Sequence, residues 1–414
     1  MNSSTTSELT AEPALGERAR ADVPSTTSGG TDWVAVWAVA AGAFALVMSE
    51  FLAIGLLPDV AKSLGVSEGT AGLMVTAPGL MAALSAPLLT VAAARVDRRA
   101  ILLSLSVLLV ASDLLAALAP AFSVLMVARL LLGVAVGGFW TIGVSVAPRL
   151  VPAQVVPRAA SVITSGITLA TVASLPLGSL AGDLLGWRAG FLIIAGLALA
   201  TLVLQFFALP RMPAQHAVTF GSLLTLFKLP RARAGVIASV LVFFGHFAGY
   251  TYLSPALHDL AHIDSTWTTP VLLLFGVTGI VGNFAAGMTA ARSIRGTLTA
   301  GVILLVASLA LLPLIGTTAP GAVVLVGLWG LAWGAMPLGL QLWILDAMGE
   351  KADSGLALFI SASQLALAAG AFLGGVTVDS AGVSPDLLIA AAVSAGALIA
   401  LWTAPRLSAA RNNR

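Results

Sequence analysis

The sequence predicts an all-α polytopic membrane protein, twelve transmembrane helices in two pseudo-symmetric six-helix bundles, and three observations lead there. The first is composition: 58% of the 414 residues are hydrophobic, only 9% are charged, and the mean hydropathy is +1.01. An ordinary soluble domain is about a quarter charged. The second is the length of the apolar runs. A helix needs about 20 apolar residues to cross the hydrocarbon core. Twelve runs approach or reach that length, at about 33–57, 70–94, 100–119, 122–148, 159–182, 189–209, 234–257, 268–291, 297–315, 321–346, 355–376 and 386–404. They are too uniformly apolar for barrel strands, which alternate over about ten residues. The third is an internal repeat. At a shift of about 196 residues SEFLAIGLLPDVAKSL (49–64) falls on GHFAGYTYLSPALHDL (245–260), and Gly178, Asp183 and Gly186 fall on Gly374, Asp379 and Gly382. At a shift of 197, TVAAAR (90–95) falls on GMTAAR (287–292).

The repeat divides the chain. Residues 1–32, rich in Ser, Thr, Ala and Glu, read as a disordered tail without a cleavable signal. One bundle is expected over 33–209 and the other over 234–405, with a linker at 210–233 that carries a short amphipathic piece, and a tail at 406–414. Of the 20 basic residues, 17 fall on the side that holds both termini. That side is expected to be cytoplasmic, since Lys and Arg favour cytoplasmic loops. These residues read as membrane anchors and not as a nucleic-acid surface. The absence of cysteine excludes disulfides and thiolate chemistry, and the four histidines are scattered, so no metal site is expected. There is no phosphate-binding glycine loop and no helical zinc pair, so neither an enzyme nor a cofactor is expected. Parallel repeats of this kind place a solute site between the halves near the membrane midplane.

Three charges lie inside the predicted spans. Spans three and four turn near Pro120, so Asp113 and Arg129 each sit roughly 10 to 13 Å below that end, and Glu50 lies at a similar depth in span one. Each alone in the bilayer interior would cost at least about 2.5 kcal/mol, so they should point into the protein. One reading is a structural ion pair. The other is proton coupling, because burial favours the neutral form of an acid and a nearby guanidinium favours its charged form. Glu50 is then the proton carrier, Arg129 its tuning partner, and Asp113 a second acid or the partner of Arg129. At the repeat shift Glu50 falls on His246, while Asp113 and Arg129 fall on Leu309 and Leu325. His246 either faces Glu50 across the cavity or is hydrogen-bonded locally.

The second half offers aromatics and amides with almost no charge: Tyr250, Tyr252, Asn283, Trp329, Trp333, Gln341, Trp343 and Gln364, with Trp140 as a first-half candidate. Singly, each Trp reads as core packing or an interfacial belt. Together they suit a neutral polar or amphipathic solute, with the energy drawn from an ion gradient. Asp346 is expected to be solvated at the end of span ten.

Certain stretches carry a family resemblance over residues 33–405: Glu50 and Phe51, ARVDRRAIL (94–102), ARLLLGVAVGGFW (128–140), GITLATVASLPLGSLAGDLLGWRAGF (166–191) and HFAGYTYLSPAL (246–257). The chain resembles the major facilitator superfamily, and within it the twelve-span drug:proton antiporters, above all bacterial sugar and purine ribonucleoside efflux permeases. The resemblance implies proton-coupled efflux of a sugar, nucleoside or drug by alternating access, in the bacterial cytoplasmic membrane, by a monomer whose partners are the solute, protons and lipid. It also implies gating by Arg95, Asp97, Arg98 and Arg99 in the loop and by Pro176 and Gly178 in span five. The chain departs from the family pattern at Ala94, Asp97, Leu132 and Ser174, where the family carries Asp, Gly, Gln and Gly. Proton-linked uptake and a sensor or scaffold that does not transport are the alternatives.

Overall fold

Backbone groups in hydrocarbon must be satisfied within their own segment, which for runs of this length means helix. The computed structural model describes residues 32–92, 96–143, 146–213, 229–348 and 352–405. Arg95, residues 214–228 of the expected linker and all but one residue of the 1–32 tail lie outside the described residues, as does the 406–414 tail. Span one is Trp33–Gly55, span two Leu73–Ala92, span three Arg98–Ala117, span four Phe122–Ile142, span five Val156–Leu185 and span six Trp187–Ala208. Span seven is Pro230–Thr251. Spans eight and nine share one helical run, Ser265–Ile315, broken at Ser293, whose φ of −161° and ψ of 102° are extended. Spans ten, eleven and twelve are Ala319–Met348, Ala352–Ala381 and Val383–Thr403. The protein is thus a multi-pass membrane protein, and side chains such as Phe207, Met288 and Phe284 point outward, at 81%, 70% and 69% exposure, where lipid would lie.

The repeat read from the sequence recurs in the backbone. Span one ends at Leu56 and a second helix, Leu57–Leu64, carries on from it; span seven ends at Tyr252, followed by Leu253–Ala261. Gly186 and Gly382, one repeat apart, both have positive φ, 81° and 89°, where a side chain would be strained. A Cβ on Gly178 would stand 2.6 Å from the Leu52 carbonyl, and one on Gly374 would stand 2.9 Å from the Ala248 carbonyl, the equivalent contact in the other bundle. Small residues at these crossings let helices approach closely where lipid supplies no hydrophobic drive between them.

The bundles meet along pseudo-equivalent seams. Gly79 of span two lies against Leu367 of span eleven, and Gly276 of span eight against Val172 of span five. Between spans one and seven, Phe51 stacks on Phe247 at 5.9 Å. At the end opposite the termini the contact becomes polar. Asp379 at the end of span eleven accepts from the Ser67 hydroxyl at 2.5 Å and from the Gly69 N–H at 2.9 Å. The Tyr252 hydroxyl donates to the Ala371 carbonyl at 2.8 Å and lies 3.5 Å from that of Gly69. Among the described residues, the hydrogen bonds that join the bundles lie at this end or at Glu50, so the protein is closed on the side away from its termini.

At the end with the termini, several hydrogen bonds among the described residues tie elements of one bundle together. Asp97 caps span three, accepting from the Arg99 N–H at 2.8 Å, and also accepts from the Met212 N–H at 3.0 Å. Arg99 donates to the Phe206 carbonyl and Arg149 to that of Pro213, which fixes the chain leaving span six. In the second bundle Asp346 is ion-paired to Arg231, so the expectation of a merely solvated Asp346 is corrected.

Candidate functional site

Glu50 is 2% exposed because span one is enclosed by its own bundle on one side and faces span eleven on the other. Its Oε1 accepts a hydrogen bond of 3.2 Å from Nε2 of Gln364, a residue of the opposite bundle. Its Oε2 has no partner among the described residues. The neighbouring Ser49 donates its hydroxyl to Oδ1 of Asp113 at 2.6 Å, and Asp113 Oδ2 is likewise unpartnered. Each acid therefore keeps one free oxygen, the position a proton would occupy.

Arg129 lies between them without a direct hydrogen bond to either. Its Nε donates to the Met74 carbonyl at 3.0 Å, and its two terminal nitrogens donate to the carbonyls of Ser49 at 3.0 Å and Glu50 at 3.1 Å. Its charge acts on both acids through space. The three intramembrane charges do share one site, and the guanidinium grips the backbone of spans one and two, so the ion pair that was one of the two readings is not formed. This follows from donor geometry: the guanidinium fork spreads its donors, and one carboxylate cannot take them all.

His246 is fully buried in the second bundle. Its ring stacks on Trp333 at 3.5 Å and on Tyr250 at 4.7 Å, and its Nδ1 accepts from Trp329 Nε1 at 3.1 Å. Of the two readings left open by the sequence, the local hydrogen bond is the one formed, and the neutral partner that Glu50 meets across the halves is Gln364. Tyr250, Trp329 and Trp333 thus form one aromatic group around His246. Tyr252 does not join them, being part of the closed end. Trp343 is also separate: it donates to the Arg231 carbonyl at 3.0 Å, and the Arg231 guanidinium covers its ring. Trp140, Asn283 and Gln341 are half-buried, and the geometry attaches none of them to Glu50 or His246. Pro176 and Gly178 lie in span five, where Gly178 packs against Leu52 and Gly55 of span one. Arg98 and Arg99 belong to the end with the termini.

Sequence reasoning missed the role of Ser49, whose hydroxyl and carbonyl connect Asp113 to Arg129, and that of Ser67 and Gly69 at the closed end. Ser49 could have been found from its position beside Glu50. The Ser67 contact depends on which spans of the two bundles touch, and no local pattern records that.

A family model described as the Major Facilitator Superfamily matches residues 39–371. The transcription regulatory protein OpdE of Pseudomonas aeruginosa is 37% identical over 365 residues, 87% of this chain and 91% of the relative. The purine ribonucleoside efflux pump NepI of Salmonella paratyphi B is 35% identical over 358 residues, 86% of this chain and 90% of the relative. In structure, the nucleoside transporter NupG matches with a TM-score of 0.76 at 14% identity, over 90% of this chain and 99% of that one.

Proposed function

We infer the function from the premise that this chain belongs to the Major Facilitator Superfamily and is a transporter, not an enzyme: it exports a neutral, nucleoside-like solute in exchange for protons. The observation that carries this reading is the hydrogen bond from Gln364 to Glu50. It links a buried acid at the meeting of the bundles to a span that must move away when the protein opens on the other side. A proton on Glu50 and a solute in the cavity then act on one contact, and alternating access couples them. The termini lie in the cytoplasm by the distribution of basic residues, so on this reading the closed side faces outward and the solute is loaded from within.

Glu50 carries the proton, with Arg129 as the fixed positive charge beside it and Asp113, bonded to Ser49, as the second acid. The uncharged aromatic group of the second bundle suits a flat neutral ring, in keeping with the name of the Salmonella relative. The gradient supplies about 2.3 kcal/mol for each charge crossing 100 mV. A second reading has specific support in the Pseudomonas relative, whose name is that of a regulator: a membrane sensor that binds the solute without moving it.

The test is solute-driven proton movement in vesicles of known orientation, with inosine as the first probe. Export in exchange for protons supports the main reading. Inosine binding without proton movement or flux favours the sensor. Glu50→Gln should still bind inosine, with an affinity that no longer varies with pH, while gradient-driven export falls to background. Export that persists in this variant would move the proton to Asp113.

A further inference from the structure

Among the described residues, Nε2 of His246 is the buried side-chain atom of the second-bundle aromatic group that is left without a hydrogen-bond partner. Both faces of its imidazole are covered, by Trp333 at 3.5 Å with an interplanar angle of 1° and by Tyr250 at 4.7 Å. Its Nδ1 accepts from Trp329 Nε1 at 3.1 Å. An indole N–H can only donate, so Nδ1 must carry a lone pair. The ring is then neutral and its proton sits on Nε2. That Nε2 is buried and has no partner. A buried donor left unmade is costly, and here it is held rigid by three aromatic neighbours, with Phe247 edge-on at 4.8 Å. Phe247 in turn stacks on Phe51 of the first bundle, so the group abuts the seam along which the bundles separate.

We propose that His246 is a recognition residue for the solute: its fixed Nε2–H donates to an in-plane acceptor on a flat, neutral heteroaromatic ring that enters between the bundles. The acceptor is a ring nitrogen or the 6-oxo group of a purine. This assignment rests on the nucleoside reading of function and adds the atom that reads the base. It also removes His246 from proton transfer, because a cationic imidazole would point Nδ1–H at the indole N–H.

The experiment uses the full chain in nanodiscs and measures equilibrium binding of inosine, 3-deazainosine, 7-deazainosine and purine riboside, which lacks the 6-oxo group. His246→Ala should weaken inosine by about tenfold, and His246→Gln, which keeps a donor, should recover part of the loss. One of the three analogues should bind the wild-type protein about tenfold more weakly than inosine does and be indifferent to His246→Ala, which identifies the contacted atom. In protein labelled with 15N-histidine, where the four histidines are assigned by the loss of one set in His246→Gln, His246 should show a protonated Nε2 and a bare Nδ1. Inosine should move the Nε2–H proton downfield. Equal weakening of all four nucleosides by His246→Ala, or a proton on Nδ1, overturns this assignment while the nucleoside reading stands. Failure of wild-type protein to bind any of the four overturns both.

Discussion

Gln364 of span eleven donates its side-chain amide to Glu50 of span one at 3.2 Å, and the two residues belong to different bundles. The amide is the only hydrogen-bonding group that reaches the Glu50 carboxyl among the described residues, so its removal tests whether the acid senses the state of the opposite bundle.

Gln364→Leu should leave the fold intact, since leucine is of similar volume and the site is 7% exposed. The lost bond is worth about 0.5–1.5 kcal/mol when Glu50 is protonated and about 1.5–3 kcal/mol when it is ionised, and the loss falls on the closed state alone. We expect spin labels across the closed end to report a larger open population, and the exchange of solute for protons to slow by about tenfold or more. An unchanged distance distribution with unchanged exchange would reduce the contact to packing.

Arg129 holds three carbonyls, and only a planar fork can do so. Arg129→Lys keeps the charge and loses most of these bonds, so the protein should fold with a lower Tm and transport poorly. Arg129→Ala also removes the countercharge of two buried acids, so it should be less stable than Arg129→Lys. Thermal unfolding in detergent with a transport assay separates the two variants. A Lys variant indistinguishable from wild type would mean that charge alone matters.

Much of the fold was legible because helix breaks and close crossings are local events. Gly186 and Gly382 must be glycine to take positive φ, and Gly178 and Gly374 to let backbones touch, so each left a mark at the repeat shift. The burial of Glu50, Asp113 and Arg129 was legible for a related reason: a charge in an apolar run has nowhere else to go. Their partners were not. Arg129 reads as a charge beside two acids, and the groups that hold it are carbonyls, which every residue possesses and no sequence marks. Tyr252 was assigned to the cavity with its neighbour Tyr250, but the helix ends between them, and the break sends Tyr252 to the closed end. Gln364 was read as a solute ligand because nothing local records that span eleven meets span one.

The loop residue Asp97 was expected to gate, as the resemblance implies. Its contacts are those of a cap that also pins Met212. Asparagine caps helices as well as aspartate does, and alanine does not. Asp97→Ala should therefore lose about 1–2 kcal/mol of stability while Asp97→Asn stays near wild type in both stability and turnover. Slow turnover in a stable Asn variant would instead support the gating role that the resemblance implies.

Asp59, outside the spans in the helix that follows span one, has its pKa raised by partial burial and then by the negative charge of Asp183. The folded state binds its proton more tightly than the unfolded state does. Asp59 therefore costs stability at pH above its folded value, and the cost vanishes as pH falls below its unfolded value. Asp59→Asn should raise Tm at neutral pH and lose that advantage in acid. An equal gain at both pH values would point to packing and not to charge.

The closed end rests on a close fit between Tyr252 and glycines of both bundles. A Cβ on Gly72 would stand 2.7 Å from Cζ of the Tyr252 ring, too near for the two bundles to come together, and because the residue is helical, alanine costs nothing in the isolated bundle. Gly72→Ala should thus hold the protein open on the side away from the termini without unfolding it. Asp379→Ala, which removes the acceptor of Ser67 and of the Gly69 N–H, should do the same more weakly. Val75 is 1% exposed and packs with the core of the opposite bundle, and the protein has no cysteine of its own. Val75→Cys is therefore a clean reporter: an impermeant maleimide applied from the closed side should label it slowly in the parent and several-fold faster with Gly72→Ala added. Tyr252→Ala should restore slow labelling to the Gly72→Ala background, because the clash goes with the ring. Labelling that stays fast in this double variant would show that Gly72→Ala acts by distorting span two, and the fit to Tyr252 would no longer explain how this end closes.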